Sequence, residues 1–210
     1  MVVVAGGDPP SPHAADGLPG DAYVIAADSG LDYAPSLGLR VDLVVGDLDS
    51  VNPDALVAAE AAGITVERHP VAKDQTDLEL ALDRAIARAP ERVVVIGGAG
   101  GRFDHVVAGV LQLAHERYGH VAMEARFGAA RLTVVRGEQE LHGQPGDLLS
   151  LLPVGGPARG ITTTGLLYSL VDEDLLPGTS RGVSNELEAQ VATVSVRDGV
   201  LLAVQPDALG

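Results

Sequence analysis

Apolar residues in the first 120 positions come in two alternating textures. Short unbroken runs, Val2–Ala5, Ala22–Ala27, Asp42–Val45, Ile64–Arg68 and Arg92–Ile96, read as strands buried on both faces. Longer segments with helical spacing separate them. Asn52 before Pro53 is an N-cap with proline at the first helical position, which predicts a helix through Ala62, ended by Gly63. Thr76 and Glu79 form a T-x-x-E capping box ahead of a helix to Ala89, stopped by Pro90. Asp104–Tyr118 repeats the period, with Val106, Val107, Val110, Leu111, Leu113 and Ala114 as its predicted buried stripe. Strands spaced by helices imply βαβ units and a mostly parallel sheet.

From about Ala130 the texture changes to strand-like runs parted by Gly, Pro and Arg-Asp-Gly turns. No long helical period follows. The Asp-Gly of Val196–Val200 predicts a tight hairpin. The expected fold is therefore α/β: a mostly parallel N-terminal α/β nucleotide-binding domain, residues 1–127, followed by a small antiparallel β-sandwich, residues 128–210. The Pro/Gly-rich loop Gly6–Gly20 is expected to be mobile.

Composition removes several function classes. The 210 residues carry a formal charge of −15, from 29 acidic and 14 basic side chains, which argues against a nucleic-acid partner. The absence of Cys rules out disulfides and thiolate metal sites. No run approaches the roughly 20 apolar residues of a membrane span, and the opening lacks the basic and apolar regions of a signal peptide. A cytoplasmic protein is expected. Arg supplies all the basic residues but Lys73, which stands beside an acidic motif as a candidate phosphate-facing charge.

Chemistry concentrates where the strands end. Asp28 follows the second strand, and Asp47 and Asp49 follow the third in "GDLDS". Asp74 and Asp77 follow the fourth in "KDQTD", and "GGAGGRFDH" follows the fifth. In a parallel sheet these positions share one rim, where open α/β folds bind ligands. An extended Asp-x-Asp points both carboxylates one way. Hard oxygen donors suit Mg²⁺ or Ca²⁺, and a bound ion reverses the local sign and lets a polyphosphate approach. Gly97–Gly101, leading into a helix, offers backbone N–H donors to phosphate, and Arg102 is placed to meet its oxygens. Singly, each piece is equally a solvated turn or a helix N-terminal acid. No G-x-x-x-x-G-K-[ST] or H-E-x-x-H occurs, and a G-x-G-x-x-G register from Gly98 places Phe103 at the third glycine.

"AADSG", "GDLDS", "DQTDLELAL" and "GGRFDH", in that order, resemble the thiamine pyrophosphokinase family, and "TTTGLLYSL" and "SRGVSNE" extend the resemblance into the second half. The resemblance implies a homodimeric enzyme that transfers diphosphate from ATP to the thiamine hydroxyl, with Mg²⁺, releasing AMP. It implies Asp47, Asp49 and Asp77 at the metal, and these with Arg102 as catalytic residues. Asp28, Lys73, Asp74, Gln75, Thr76 and Asp104 would line the ATP side, and Ser180, Ser184 and Asn185 would approach thiamine. Two positions depart from the pattern: Ser29 stands where a glycine is usual, and Gly109 where an asparagine is common. With no Trp in the chain, stacking on thiamine falls to Tyr168 or another apolar group. Three alternatives stay open: a pyrophosphokinase with a pterin-like acceptor, a non-catalytic nucleotide-binding protein on the same fold, and a structural protein whose acids only solubilise its surface.

Overall fold

The computed structural model describes residues 1–210. The fold is mixed α/β, with a large, mostly parallel sheet and a separate antiparallel four-stranded sheet. The chain divides into two compact units, Met1–Gln112 with Ala125–Gly128, and Leu113–Glu124 with Ala129–Gly210.

The first unit contains β1 (Val2–Val4), β2 (Val24–Ala27), β3 (Leu43–Gly46), β4 (Thr65–Arg68) and β5 (Arg92–Ile96). They lie in the order β4-β3-β2-β1-β5, every neighbouring pair parallel. Val3 sits between Ile25 and Val95 in register, and all three side chains are fully buried. That explains the uninterrupted apolar runs: a strand covered on both faces has no polar alternate position. Around the sheet lie α1 (Gly30–Tyr33), α2 (Pro53–Ala61), α3 (Asp77–Ile86) and most of α4 (Phe103–Leu113). The predicted caps form. The Asn52 side chain accepts from the Asp54 N–H at 2.9 Å, and Thr76 Oγ1 accepts from the Glu79 N–H at 3.2 Å. Leu80, Ala81, Leu82 and Ala85 of α3 are buried, and the helix packs against β1, β2 and β3.

The second unit holds β7 (Ala130–Val135), β8 (Glu138–His142), β9 (Leu148–Pro153), β10 (Ala158–Thr164), β11 (Glu173–Leu175), β12 (Asn185–Glu186), β13 (Val191–Ser195) and β14 (Leu201–Gln205). The residues of β6 (Ala122–Phe127) are shared between the two units. β11-β10-β13-β8 form the separate sheet, and β12-β9-β14-β7 are likewise antiparallel neighbours. One core, including Leu141, Ile161 and Val194 from the first set and Leu149, Leu151 and Leu201 from the second, fills this unit.

Three expectations fail here. The Asp-Gly turn makes no hairpin: β13 pairs with β8 and β10, whereas β14 pairs with β7 and β9. Arg197 and Asp198 instead donate their N–H groups to Arg159 O, and Gly199 (φ +94°) has no room for a Cβ against Pro157 O. The turn carries the chain from one strand set to the other. Second, Val107 and Leu111 are exposed and Val106 and Val110 half-buried, so only part of the predicted α4 stripe is covered. Third, the Gly6–Gly20 loop is anchored. Ala14 is fully buried, and Arg126, 4 % exposed, donates from Nη1 to Ala14 O and Asp16 O, both at 2.8 Å. A distant arginine supplies the donors that the loop's own sequence lacks.

Arg126→Ala leaves two carbonyls without their charged donor and should destabilise the protein by about 3 kcal/mol. A lower urea midpoint, with earlier protease cleavage between Asp8 and Gly20, is the expected readout; an unchanged midpoint contradicts this account of the loop.

Candidate active site

The parallel strands deliver their carboxyl ends to one edge, and the local backbone there is unusual. Asp28, directly after β2, has φ +48°, and its N–H donates to Val45 O at 3.0 Å. β3 ends at Gly46 (φ +151°), where a Cβ would stand 2.9 Å from Asp77 Oδ1 and 3.3 Å from Asp28 Cβ. Only glycine lets the acids of three segments come this close. Leu48, between Asp47 and Asp49, has φ +65°. The Asp-x-Asp is therefore not extended, and strand alternation does not aim its carboxylates. A left-handed leucine costs about 1–2 kcal/mol. Burial of its side chain in the core of the first unit offsets that and anchors the loop.

Carboxylate oxygens of Asp28, Asp47 and Asp49 all lie within 4.8 Å of one another, close enough to share one ion. Asp77 is engaged differently. Its Oδ1 accepts from the Asp47 N–H at 3.2 Å and lies 3.1 Å from Lys73 Nζ. Lys73 Nζ also donates to Asp47 Oδ2 at 2.5 Å. Ser50 Oγ donates to Asp49 Oδ1 at 2.9 Å.

The charges respond to these surroundings. Burial pushes the Asp28 carboxyl above the usual carboxylate range, and repulsion from Asp77, Asp47 and Asp49 adds to that against a lowering backbone hydrogen bond. The hydrogen bond from Lys73 holds Asp47 below that range. Burial pulls the Lys73 ammonium down, but its bonds to Asp47 and Asp77 outweigh that and leave it raised. Asp28 Oδ1 is buried and has no hydrogen-bond partner. A buried acceptor without a donor requires an explanation, and a cation supplies one. Three hard oxygen donors with one orphaned oxygen fit Mg²⁺.

The glycine loop packs as close backbone. Gly98 N–H donates to Gly6 O and Asp8 N–H to Ala99 O, both at 2.8 Å, and Gly97 (φ +89°) lies against Ala5 O. Arg102 and Asp104 pair with each other, Nη2 to Oδ2 at 2.6 Å and Nε to Oδ1 at 3.2 Å, and both are exposed. Their mutual hydrogen bonds raise the Arg102 pKa and lower that of Asp104. Asp74 is exposed, Gln75 Nε2 donates to Asp83 Oδ2 at 2.9 Å, and Thr76 caps α3.

In the second unit Ser180 is exposed, and Ser184 (φ +59°) donates its N–H to Ser150 Oγ at 3.1 Å. Asn185 is 5 % exposed and its amide is committed locally. Oδ1 accepts from the Tyr168 and Glu186 N–H groups at 3.0 and 2.9 Å, and Nδ2 donates to Tyr168 O at 2.8 Å. Asn185 thus fixes the backbone of Tyr168, whose residue stays 65 % exposed. Sequence reasoning missed this clamp and the roles of Gly46 and Leu48. A glycine directly before Asp-x-Asp is the one local signal that marked the crowding.

A family model described as thiamin pyrophosphokinase, catalytic domain, matches residues 18–123, and one described as thiamin pyrophosphokinase, vitamin B1 binding domain, matches residues 133–201. The chain is similar to a thiamine pyrophosphokinase of Bacillus subtilis strain 168, 26% identical over 193 residues, covering 86% of each chain. It is also similar to thiamine pyrophosphokinase 2 of Oryza sativa subsp. japonica, 26% identical over 162 residues, covering 73% of this chain and 61% of the relative. Among solved structures it resembles thiamine pyrophosphokinase from Bacillus subtilis, with TM-score 0.85 at 24% identity over 97% of both chains. It also resembles thiamin pyrophosphokinase from Geobacillus thermodenitrificans, with TM-score 0.80 at 27% identity over 98% of this chain and 97% of that one.

The raised Asp28 pKa has a stability consequence. The folded state holds that proton more tightly than the unfolded state, so stability falls as pH rises from the unfolded value towards the folded one. Above that window the penalty is constant. Asp28→Asn should therefore raise the melting temperature of metal-free protein at pH 7, and the gain should vanish below about pH 4, where Asp28 is protonated in both states. A lowered melting temperature at pH 7 contradicts the strain assigned to this carboxylate.

Proposed function

The chain belongs to the thiamin pyrophosphokinase family, and on that premise we propose how its acidic rim carries out the reaction. The protein is a thiamine diphosphokinase, an ATP-dependent transferase. The unpartnered Oδ1 of Asp28, a residue whose carboxylate lies in one ion-sized group with those of Asp47 and Asp49, is the observation that carries the proposed mechanism.

Asp28, Asp47 and Asp49 would hold Mg²⁺, with Asp77 beside them. When bound, the ion neutralises charge on the phosphate oxygens of ATP. The chain's own groups do the rest. The Gly97 and Gly98 N–H groups are held by Arg126 O and Gly6 O, so the backbone N–H groups of Ala99–Gly101 and the Arg102 guanidinium meet phosphate, Arg102 exchanging its exposed contact with Asp104 for the nucleotide. Asp74, Gln75 and Thr76 line the ATP side with Lys73. The thiamine hydroxyl oxygen attacks the β-phosphorus in line, the bond to the α–β bridging oxygen breaks, and AMP leaves. The hydroxyl proton passes to a rim carboxylate, Asp77 or Asp49. Ser180 and Ser184 would approach thiamine, while Asn185 sets the Tyr168 ring to stack on it.

The proposed domains, 1–127 for ATP and 128–210 for thiamine, agree with the gap between the two family matches. A homodimer belongs to the same reading, supported by the exposed Phe103, Val107 and Leu111 along one face of α4. No helix is long and apolar enough to cross a membrane. Use of ATP supports a cytoplasmic location.

Phosphorus NMR of protein with ATP, Mg²⁺ and thiamine should show AMP and thiamine diphosphate; ADP, or no turnover, contradicts the reaction. Asp49→Asn should lower kcat by about 100-fold or more with the fold intact. An unchanged rate removes Asp49 from the site.

A further inference from the structure

We propose that Lys73 is a positioning residue, an internal counter-ion that holds Asp47 and Asp77 together in the metal-free protein and competes with the divalent cation for Asp47. The inference rests on the diphosphokinase reading of the rim and concerns a charge that this reading counts only as a phosphate contact.

Geometry carries the argument. Lys73 Nζ lies 2.5 Å from Asp47 Oδ2 and 3.1 Å from Asp77 Oδ1, and the three side chains are 13 %, 12 % and 24 % exposed. These contacts are shielded, unlike surface ion pairs held in water. Asp47 is the shared member: it belongs to the ion-sized group with Asp28 and Asp49, and it also accepts from Lys73. Asp77 is tied to the same loop a second time through the Asp47 N–H. Lys73 therefore joins the start of α3 to the end of β3 across the acid cluster.

The charge count shows why a cation is needed there. Asp28, Asp47, Asp49 and Asp77 sum to −4 when ionised, and Lys73 brings the group to −3. A divalent ion arriving at Asp28–Asp47–Asp49 meets an ammonium already bonded to one of its three ligands. At an effective dielectric constant near 20, a unit charge several ångströms from a divalent ion shifts binding by well over tenfold, and screening at a half-open rim reduces this to about tenfold. A lysine that faced only phosphate, away from Asp47, would instead leave nucleotide-free metal affinity unchanged on removal. Lysine suits the counter-ion role because its compact ammonium sits between two carboxylates at short range. It is also the sole lysine of a chain that otherwise uses arginine.

The test is a Mn²⁺ titration of nucleotide-free protein followed by electron paramagnetic resonance, with melting temperatures in EDTA and in Mg²⁺. Lys73→Met should bind Mn²⁺ about 10-fold tighter than wild type, melt lower in EDTA, and gain more from Mg²⁺ than wild type does. Lys73→Arg keeps the charge and should stay within about 3-fold of wild-type affinity. Lys73→Gln gives the same readout should the Met variant fail to fold. Unchanged or weaker Mn²⁺ binding in the neutral variants overturns the proposal, as does equal behaviour of the Arg and Met variants. Failure of the functional reading shows separately, as wild type that forms no thiamine diphosphate.

Discussion

Mutual repulsion among carboxylates at one sheet edge is the constraint on which the rest of this structure turns. Oxygens of Asp28, Asp47 and Asp49 lie within 4.8 Å of one another, and each ionised pair at that distance costs about 3 kcal/mol at an effective dielectric constant near 20. Solvent reduces the share of exposed Asp49, yet the sum still exceeds the 1–2 kcal/mol or so of a left-handed residue such as Leu48. The backbone strain around the site is thus the smaller cost. Asp28 is pushed towards its neutral form, and Lys73 is drawn in between Asp47 and Asp77.

The fold supplies what holds such a cluster in place. Four parallel strands buried on both faces, β1, β2, β3 and β5, with the more exposed β4 at the edge, fix the ends of β2 and β3, and the buried Leu48 pins the loop. Gly46 removes the one side chain that would keep Asp28 and Asp77 apart. A rigid edge is necessary because the acids gain nothing from proximity until a cation arrives. The second unit contributes a different kind of order: the Asn185 amide holds Tyr168 by its backbone and leaves the ring free.

Much of this was legible in the chain. The sequence pattern located the five parallel strands within a residue or two, and for β1, β2, β3 and β5 it did so because burial on both faces leaves a mark that no turn imitates. Asn52 and Thr76 marked their helix starts, since caps are local chemistry. What was not legible depends on distant partners. Arg126 anchors a loop more than 100 residues away, and the Asp-Gly turn joins strands in different sets instead of a hairpin because each edge had a better partner elsewhere. Apolar residues lie on more than one face of α4, so periodicity alone did not say which would be covered. At the rim, the sequence marked acids that the fold does bring together, but for a wrong geometric reason. Leu48 in the left-handed region, not strand alternation, turns Asp47 and Asp49. It also did not show that Asp77 is bonded to Lys73 while Asp28 completes the group of three.

The central claim is that Asp28, Asp47 and Asp49 share one divalent cation. Anomalous diffraction from crystals grown with Mn²⁺ and a non-hydrolysable ATP analogue tests it most directly. The account predicts one strong peak with oxygens of all three carboxylates at roughly 2.2 Å, against the phosphate chain. A peak that excludes Asp28, or an ordered nucleotide with no metal at this edge, would contradict it.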